Sequence, residues 1–221
     1  MKLKQHLVIL VALLMTTLTT TALRAEVTAD TTPRVFVNEE TQGIDFSKAD
    51  ATSGWINNAV TAADSIRLTG TWTATQLAGL RASMKGATEY YSGSNSTLKK
   101  VDMSGVSLSS EGSFTNTTGM SHLFRFCTAL HTVTLPTAGS ASGVSFSNTF
   151  SNCTALTSLT GLESFTNVTD LSYAFNNCEK LTTITLPPAG SESRVDFQYA
   201  FSGCTALTTL TNLEKFTNVT N

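Results

Sequence analysis

The amino-acid sequence predicts an α/β repeat solenoid: a parallel sheet of short strands, joined by short helical or irregular return segments, behind an N-terminal α+β cap. Two observations support this prediction. The four cysteines stand at positions 127, 153, 178 and 204, separated by 26, 25 and 26 residues. Each cysteine also lies in the same local sequence. Self-similarity at this period is typical of stacked supersecondary units that share one continuous core.

Fixed apolar positions flank every cysteine. A Phe stands three residues before it, a Leu three residues after it and a further aliphatic residue six residues after it. Two repeat types alternate, L-H-T-V-T-L-P-T-A-G-S from Leu130 and L-T-S-L-T-G-L-E-S-F-T-N-V-T from Leu156, so the full period is 51 residues. We expect the repeat core to contain Phe124, Cys127, Leu130, Phe150, Cys153, Leu156, Phe175, Cys178, Leu181, Phe201, Cys204 and Leu207.

The spacing L-x-x-L-x-L predicts one short strand in each repeat. In the first unit Val133 and Leu135 alternate with Thr132 and Thr134. Because successive side chains of a strand point to opposite faces, the aliphatic residues face the core and the threonines face outward. Strands stacked about 4.8 Å apart then form the parallel sheet of a leucine-rich-repeat array.

Return segments connect one predicted strand to the next. In D-L-S-Y-A-F the apolar residues Leu171, Ala174 and Phe175 are spaced at three and four, which predicts a short helical turn that packs its Phe inward. A first, imperfect repeat precedes the cysteine-containing units. L-K-K-V-D-M-S from Leu98 supplies its strand, and its return segment contains Phe114, Met120 and Leu123.

The N-terminus predicts export. Residues 1–25 begin with Lys2 and Lys4 and continue through an apolar run that is too short to span a bilayer, which needs about 20 residues. A basic start, an apolar run and small residues are typical of a secretory signal peptide. Cleavage after Ala25 is preferred, and cleavage after Ala22 remains open.

The rest of the chain divides into two predicted regions. Residues 26–97 form the N-terminal cap, with a strand at S-I-R-L-T-G, a helix over Thr73–Lys85 capped by Thr73, and Trp55 and Trp72 in its core. Residues 98–221 form the leucine-rich repeats. Asn221 falls inside a repeat, so we expect the array to be truncated there and the chain to be a fragment of a longer protein.

Charge disfavours nucleic acid as a partner. Removal of residues 1–25 leaves 11 Lys and Arg against 16 Asp and Glu, a net charge of −5. Nucleic-acid affinity comes from clustered Lys and Arg that neutralise phosphates. The basic pair in the repeat region, Lys99 and Lys100, is interpreted as a solvated turn. No second apolar run of membrane length is present in the sequence.

The units F-T-N-V-T-D-L-S-Y-A-F-N-N-C-E-K-L-T-T-I and A-F-S-G-C-T-A-L-T-T-L resemble the BspA-like leucine-rich-repeat surface proteins of Bacteroidetes and related microbes. The resemblance covers Leu98 to Asn221 and implies an extracellular, non-enzymatic protein. Some members bind host matrix proteins or other microbial cells. The P-T-A-G-S and P-P-A-G-S stretches depart from the commonest family loop, and no ligand-contact residue of the family can be assigned to a position here.

The sequence offers little for catalysis or metal binding. Zinc sites need ligands two to four residues apart, whereas the cysteines are a full repeat apart. Pairing of Cys127 with Cys153, and of Cys178 with Cys204, remains open, but parallel Cβ vectors favour buried free thiols. His122 and His131 lie in no recognisable catalytic motif, and no phosphate-binding glycine loop is present. We therefore predict neither an enzyme nor a cofactor.

The outward strand positions are the predicted ligand-facing surface. Two stacked hydroxyl columns are expected, formed by Thr132, Thr134, Ser158, Thr160, Thr183, Thr185, Thr209 and Thr211. Threonine also stabilises sheets by cross-strand packing, so a purely structural role stays open, as does a flat ice-binding array. The favoured hypothesis is adhesion or recognition of an extracellular protein or glycan through this face or the P-x-A-G-S loops. In the alternative, the chain is a spacer that projects a missing C-terminal domain.

Overall fold

A computed structural model describes most of the chain beyond the predicted signal peptide. By contact pattern the chain divides into two units, residues 1–31 and 32–221. The predicted signal peptide, residues 1–25, and Trp55 lie outside the described residues. The described residues are 30–38, 43–47, 60, 62–85, 97–110, 114, 119–137, 143–166, 168–188, 195–217 and 219–220.

The N-terminal region begins with short antiparallel strands and continues into a parallel pair. Strand β1 (Arg34–Val37) lies between β2 (Ile44–Asp45) and β3 (Ser65–Trp72) and pairs antiparallel with both. Helix α1 (Ala74–Lys85) follows β3, and strand β4 (Lys100–Leu108) then pairs parallel to β3. The chain therefore changes from antiparallel to parallel pairing where the first repeat begins.

Helix α1 confirms the predicted start and buried face. The Thr73 Oγ1 accepts a hydrogen bond from the Gln76 N–H at 3.2 Å, and the Thr73 N–H donates to Gln76 Oε1 at 2.9 Å. This reciprocal capping box satisfies two donors that the first helical turn would otherwise leave unpaired. Leu77, Leu80 and Met84 are buried on one side of the helix, as their spacing predicts.

Each cysteine-containing repeat supplies one three-residue strand at the predicted position. These strands are β5 (Thr132–Thr134), β7 (Ser158–Thr160), β9 (Thr183–Thr185) and β11 (Thr209–Thr211). Strands β5 and β7 extend the first sheet, whose order is β2-β1-β3-β4-β5-β7, whereas β9 and β11 form a separate two-stranded sheet. These pairs from β3 onward are parallel, and the β3–β4 pair contains a register shift between Arg67 and Thr69.

A further parallel sheet, which the sequence did not predict, lies where the return segments begin. Its strands are β6 (Val144–Ser145), β8 (Val168–Asp170), β10 (Val195–Asp196) and β12 (Val219–Thr220), in the order β12-β10-β8-β6. Every repeat that the structure describes from β6 onward therefore contributes to two parallel ladders.

No ladder joins β7 and β9 within the described residues. After β5, the Leu135 N–H donates to the Thr160 carbonyl of the next repeat at 2.9 Å. At the equivalent position after β7 stands Gly161, with a φ of 92°, and its N–H donates to the Glu163 carboxylate at 3.1 Å. The turn at Gly161 thus takes this donor out of the sheet. Each strand of this repeat type runs into a 3-10 helix, namely Leu162–Ser164 and Leu213–Lys215.

The prediction of a helical turn in the return segments is wrong. Backbone donors alternate there: the Thr149 N–H bonds to Phe146 O in its own repeat, and the Phe150 N–H bonds to Ala174 O in the next repeat. Residues five positions and one position before each cysteine have a positive φ, which interrupts any α-helix. They are His122, Asn148, Tyr173 and Tyr199, and Phe126, Asn152, Asn177 and Gly203.

The residues of the predicted repeat core are buried, with a gradient of exposure toward the last repeat. Nine of its members are at most 2% exposed, and Phe201, Cys204 and Leu207 are half-buried against the same core. The phenylalanines stack as a column with centroid separations of 5.8, 5.6 and 5.8 Å. Stacked rings at this spacing add to the free energy gained from burying their apolar surface.

The cysteines are free thiols, and Cys153, Cys178 and Cys204 bond to the backbone of the preceding repeat. Cys153 Sγ donates to Phe124 O at 3.1 Å, and Cys178 Sγ donates to Phe150 O at 3.2 Å. Each Phe carbonyl also accepts the N–H of the cysteine in its own repeat, so both of its lone pairs are used. The recurring cysteine is therefore a small core residue that also ties adjacent repeats together.

Candidate binding surface

Two columns of outward side chains run across the first sheet, in line with the predicted hydroxyl columns. Parallel registers align each position of β4 with those of β5 and β7. One column contains Lys100, Thr132 and Ser158, and the other contains Asp102, Thr134 and Thr160. Val133, which lies between the two columns, is buried in the core. We call these two columns, together with the outward threonines of β9 and β11 described next, the sheet face.

The remaining predicted residues form a separate patch. Thr183 pairs with Thr209, and Thr185 pairs with Thr211, in the two-stranded sheet of β9 and β11. All four side chains are exposed. No described ladder carries the register of the columns from β7 to β9.

The eight outward hydroxyls differ from neighbouring threonine hydroxyls. Thr157 Oγ1 donates to His131 O at 3.1 Å, and Thr208 Oγ1 donates to Thr182 O at 3.2 Å, so both bind the preceding repeat. Within the described part of the chain, none of the eight outward hydroxyls has such a protein partner. They are therefore not linked to one another as a hydrogen-bonded ladder.

The sheet face also has a charged end, which the sequence analysis missed. A depression of about 250 Å³ is lined by Ser65, Ile66, Arg67, Lys100 and Asp102. The Arg67 guanidinium carbon lies 3.9 Å from the centroid of the Phe36 ring. S-I-R and K-V-D alternate polar and aliphatic residues as T-V-T does. From this alternation the sequence could have predicted that the outward columns continue onto β3 and β4. Lys100 is part of strand β4, so its interpretation as part of a turn is wrong.

Asp102 is the acidic group of this depression. Burial acts to raise its pKa, but the hydroxyl and the backbone N–H of Ser104, followed by the charges of Lys100 and Arg67, lower the pKa overall. The Ser104 N–H donates to Asp102 Oδ1 at 2.9 Å. The carboxylate is therefore charged at neutral pH, beside Lys100 on its own strand and Arg67 on the adjoining strand β3.

The described residues contain no cluster of metal-ligating side chains. Within this part of the chain, no three His, Cys, Asp or Glu side chains are close enough to share a metal ion. His131 Nδ1 bonds to the carbonyl of Ala129, two residues earlier. No described helix combines the length and apolarity needed to cross a membrane. The P-T-A-G-S and P-P-A-G-S loops lie largely outside the described residues.

Comparison with known proteins identifies the repeats. No curated protein and no solved structure matches the chain significantly. The family description "BspA type Leucine rich repeat region" matches in 6 copies over residues 87–170 and 120–221, which is more than half of the chain. Repeat domains of this family serve binding and are not typically enzymatic, which indicates a protein-binding role. The chain belongs to the BspA-type leucine-rich-repeat family.

Proposed function

We propose that this chain is an exported surface protein whose leucine-rich repeats form a solenoid that binds an extracellular protein through the sheet face. The observation that carries the proposal is the set of eight outward hydroxyls. Within each of the two sheets they lie in register on parallel strands, and they have no hydrogen-bond partner among the described residues. A partner's backbone and side chains would supply those hydrogen bonds on docking.

The charged end of the sheet face supports an interface that is polar at its rim. Arg67, Lys100 and Asp102 adjoin the hydroxyl columns through the β3–β4 and β4–β5 registers. Charged groups at the edge of an interface steer association and set its orientation more than they add affinity. Thr134 and Thr160 lie beyond this end on the next two strands, so the partner would cross several repeats.

Export and capping complete the proposal. The basic and apolar start of residues 1–25 supports a signal peptide, and thereby a secreted or cell-surface location. Residues 26–97 are proposed as the N-terminal cap, since β1 and β2 extend the sheet of the repeats with antiparallel strands. Fractionation of the native organism tests location, because a mature chain found only in the cytosol would contradict export.

A spacer is the other candidate function, and a charge scan distinguishes it from binding. The full chain is tested against immobilised extracellular matrix proteins by surface plasmon resonance, together with Thr160→Lys and Thr185→Lys on the two sides of the sheet break. Each places a solvated ammonium in the proposed interface. We expect at least tenfold weaker binding from one or both, equivalent to about 1.4 kcal/mol.

Thr166→Lys is the matched control, because it makes the same change at an exposed position outside the strands. Its affinity should equal that of the unaltered chain. Binding that resists Thr160→Lys and Thr185→Lys equally would exclude the sheet face. The absence of binding to any matrix protein would favour the spacer.

A further inference from the structure

A second depression lies on the return segments, away from the strands of the sheet face. Its volume is about 310 Å³, and residues of three successive return segments line it, including Arg125, Asn148, Tyr173 and Asn176. None of these residues belongs to the predicted ligand-facing set. The depression therefore needs its own explanation.

The repeat register builds this depression. Asn148 and Tyr173 occupy the same place, five residues before a cysteine, and both have left-handed backbone conformations. The Asn148 N–H donates to Ser172 O at 2.9 Å, which fixes the two return segments side by side. Arg125 and Asn176 share the other position, two residues before a cysteine. Equivalent side chains are thus aligned across the array.

Aromatic and amide groups give the depression a mixed character. The Tyr173 ring packs against Tyr199, with 5.0 Å between centroids and a tilt of 31°. Tyrosine provides a rigid apolar face with a polar tip, and amides supply both donors and acceptors. A sugar ring presents one apolar face and several hydroxyls, so this combination fits a carbohydrate better than an apolar peptide.

Arg125 places a permanently charged guanidinium in the lining, which also contains His122 of the same return segment. Its guanidinium carbon lies 4.8 Å from the centroid of the Phe126 ring. At the same repeat position the following residues are Ser151, Asn176 and Ser202, none of which is charged. A guanidinium binds a carboxylate through two parallel hydrogen bonds. Because Arg125 is the one charged residue at this repeat position, we expect it to bind a ligand with a single carboxylate rather than a polyanion.

We propose that this depression binds the end of a glycan that carries one terminal carboxylated sugar. The carboxylate bonds to Arg125, the amides of Asn148 and Asn176 bond to ring hydroxyls, and a sugar ring packs on Tyr173. This site is independent of the proposed sheet-face function. A glycan ligand and a protein ligand would then bind different surfaces of the same repeats.

Ligand-observed NMR and calorimetry with the full chain test the proposal. The probe is 3′-sialyllactose, and lactose is the matched sugar without the carboxylate. We expect saturable binding of 3′-sialyllactose that is at least tenfold tighter than binding of lactose. Equal affinity for the two sugars, or no saturable binding of 3′-sialyllactose, would overturn it.

Variants then locate the site. Arg125→Gln should reduce 3′-sialyllactose affinity at least tenfold and leave lactose unchanged. Asn148→Asp should weaken binding of 3′-sialyllactose at least tenfold more than binding of lactose, because Asp is isosteric with Asn and tolerates a φ of 57°, but its charge repels the sugar carboxylate. Because this variant keeps the backbone conformation, it tests the site even if Arg125→Gln does not fold. Sialyllactose binding that is retained in Asn148→Asp would contradict the assignment.

Two controls separate this site from its surroundings. Tyr173→Phe keeps the ring and should bind the sugar within twofold of the unaltered chain, whereas Tyr173→Ser should weaken binding at least tenfold. Thr160→Lys alters only the sheet face and should leave sugar binding unchanged. Loss of sugar binding in Thr160→Lys would place the sugar on the sheet face and overturn the proposal.

Discussion

The strand side and the return side of the repeats differ in how they hold adjacent repeats together. On the strand side, the described ladder stops between β7 and β9. On the return side the same junction is closed by backbone bonds from the N–H groups of Phe146, Asn148 and Phe150 to the carbonyls of Asp170, Ser172 and Ala174. The phenylalanine column and the cysteine thiols also cross this junction without interruption.

This difference shows which side propagates the array. A three-residue strand provides few hydrogen bonds, so one glycine turn is enough to interrupt its ladder. In the return segment every second N–H bonds to the next repeat, and the Phe and Cys side chains stack beneath. The strand side is then the freer of the two to vary its outward residues, which suits a binding surface.

Truncation of the phenylalanine column should have the largest effect. Phe150 is fully buried between Phe124 and Phe175, so Phe150→Ala should lower the free energy of unfolding by about 3–5 kcal/mol. Leu159→Ala, on the half-buried strand side, should cost only about 1–2 kcal/mol. Urea titration followed by circular dichroism measures both. If both variants lower the free energy of unfolding equally, the return side does not contribute more to stability than the strand side.

Phe201→Ala is the matched control for this prediction. It makes the same chemical change at the same repeat position, but Phe201 is half-buried. Phe201→Ala should lower the free energy of unfolding by less than Phe150→Ala does, because it returns less apolar surface to water and leaves a smaller cavity. A larger loss from Phe201→Ala would indicate that ring stacking, rather than burial, sets the stability.

The glycine turn that interrupts the strand side can be tested next. A Cβ on Gly161 would lie 2.9 Å from Leu135 O, and its φ of 92° already disfavours side chains. Gly161→Ala should therefore destabilise the protein by about 1–3 kcal/mol. Differential scanning calorimetry would report it as a lower Tm.

The second copy of this turn supplies the control. Asn212 occupies the equivalent position with a φ of 71°, and its Nδ2 donates to Leu186 O at 3.0 Å. Gly161→Asn should therefore be less destabilising than Gly161→Ala, since Asn tolerates this conformation and can bond to Leu135 O. If Asn and Ala lower the Tm equally, the amide bond contributes nothing at this turn.

The sequence predicted the strands and the core because their signals are local and repeated. Alternation fixed the inward direction of Val133 and the outward direction of Thr134, and the recurring Phe and Cys identified the buried column. The helical turn predicted for the return segment is wrong because apolar spacings of three and four residues fit a chain of alternating left-handed turns as well as a helix. The N–H partners in the next repeat decide between them, and these are long-range contacts.

The candidate surface was predictable to a similar extent. The threonines followed from alternation, but the sheet break depends on where one N–H, that of Gly161, finds its partner. Lys100 and Asp102 were missed because the first repeat lacks a cysteine to mark its register. The depression lined by Tyr173 was only weakly indicated by the sequence. Asn152 and Asn177 recur one residue before a cysteine, and Asn is enriched at positive φ, so they indicate the left-handed turns that shape the return segments.

The burial of the cysteine thiols differs between the interior repeats and the last repeat. Burial raises the pKa of the Cys153, Cys178 and Cys204 thiols. The folded state therefore keeps protons that the unfolded chain releases above about pH 8.5. The stability that this provides is complete below that pH and is lost as pH rises toward the folded pKa, by up to about 1.4 kcal/mol per pH unit for the fully buried Cys153 thiol and by less for Cys204, which solvent screens.

Stability measured between pH 8 and pH 10 tests this smallest of the expected effects. Cys153→Ala should flatten the decline with pH more than Cys204→Ala does, because Cys153 is fully buried and Cys204 is half-buried. Tyrosine and lysine titrations are common to both variants and cancel in the comparison. Identical slopes for the two variants would mean that the last repeat shields its thiol as well as the interior does, which would remove the gradient along the return side.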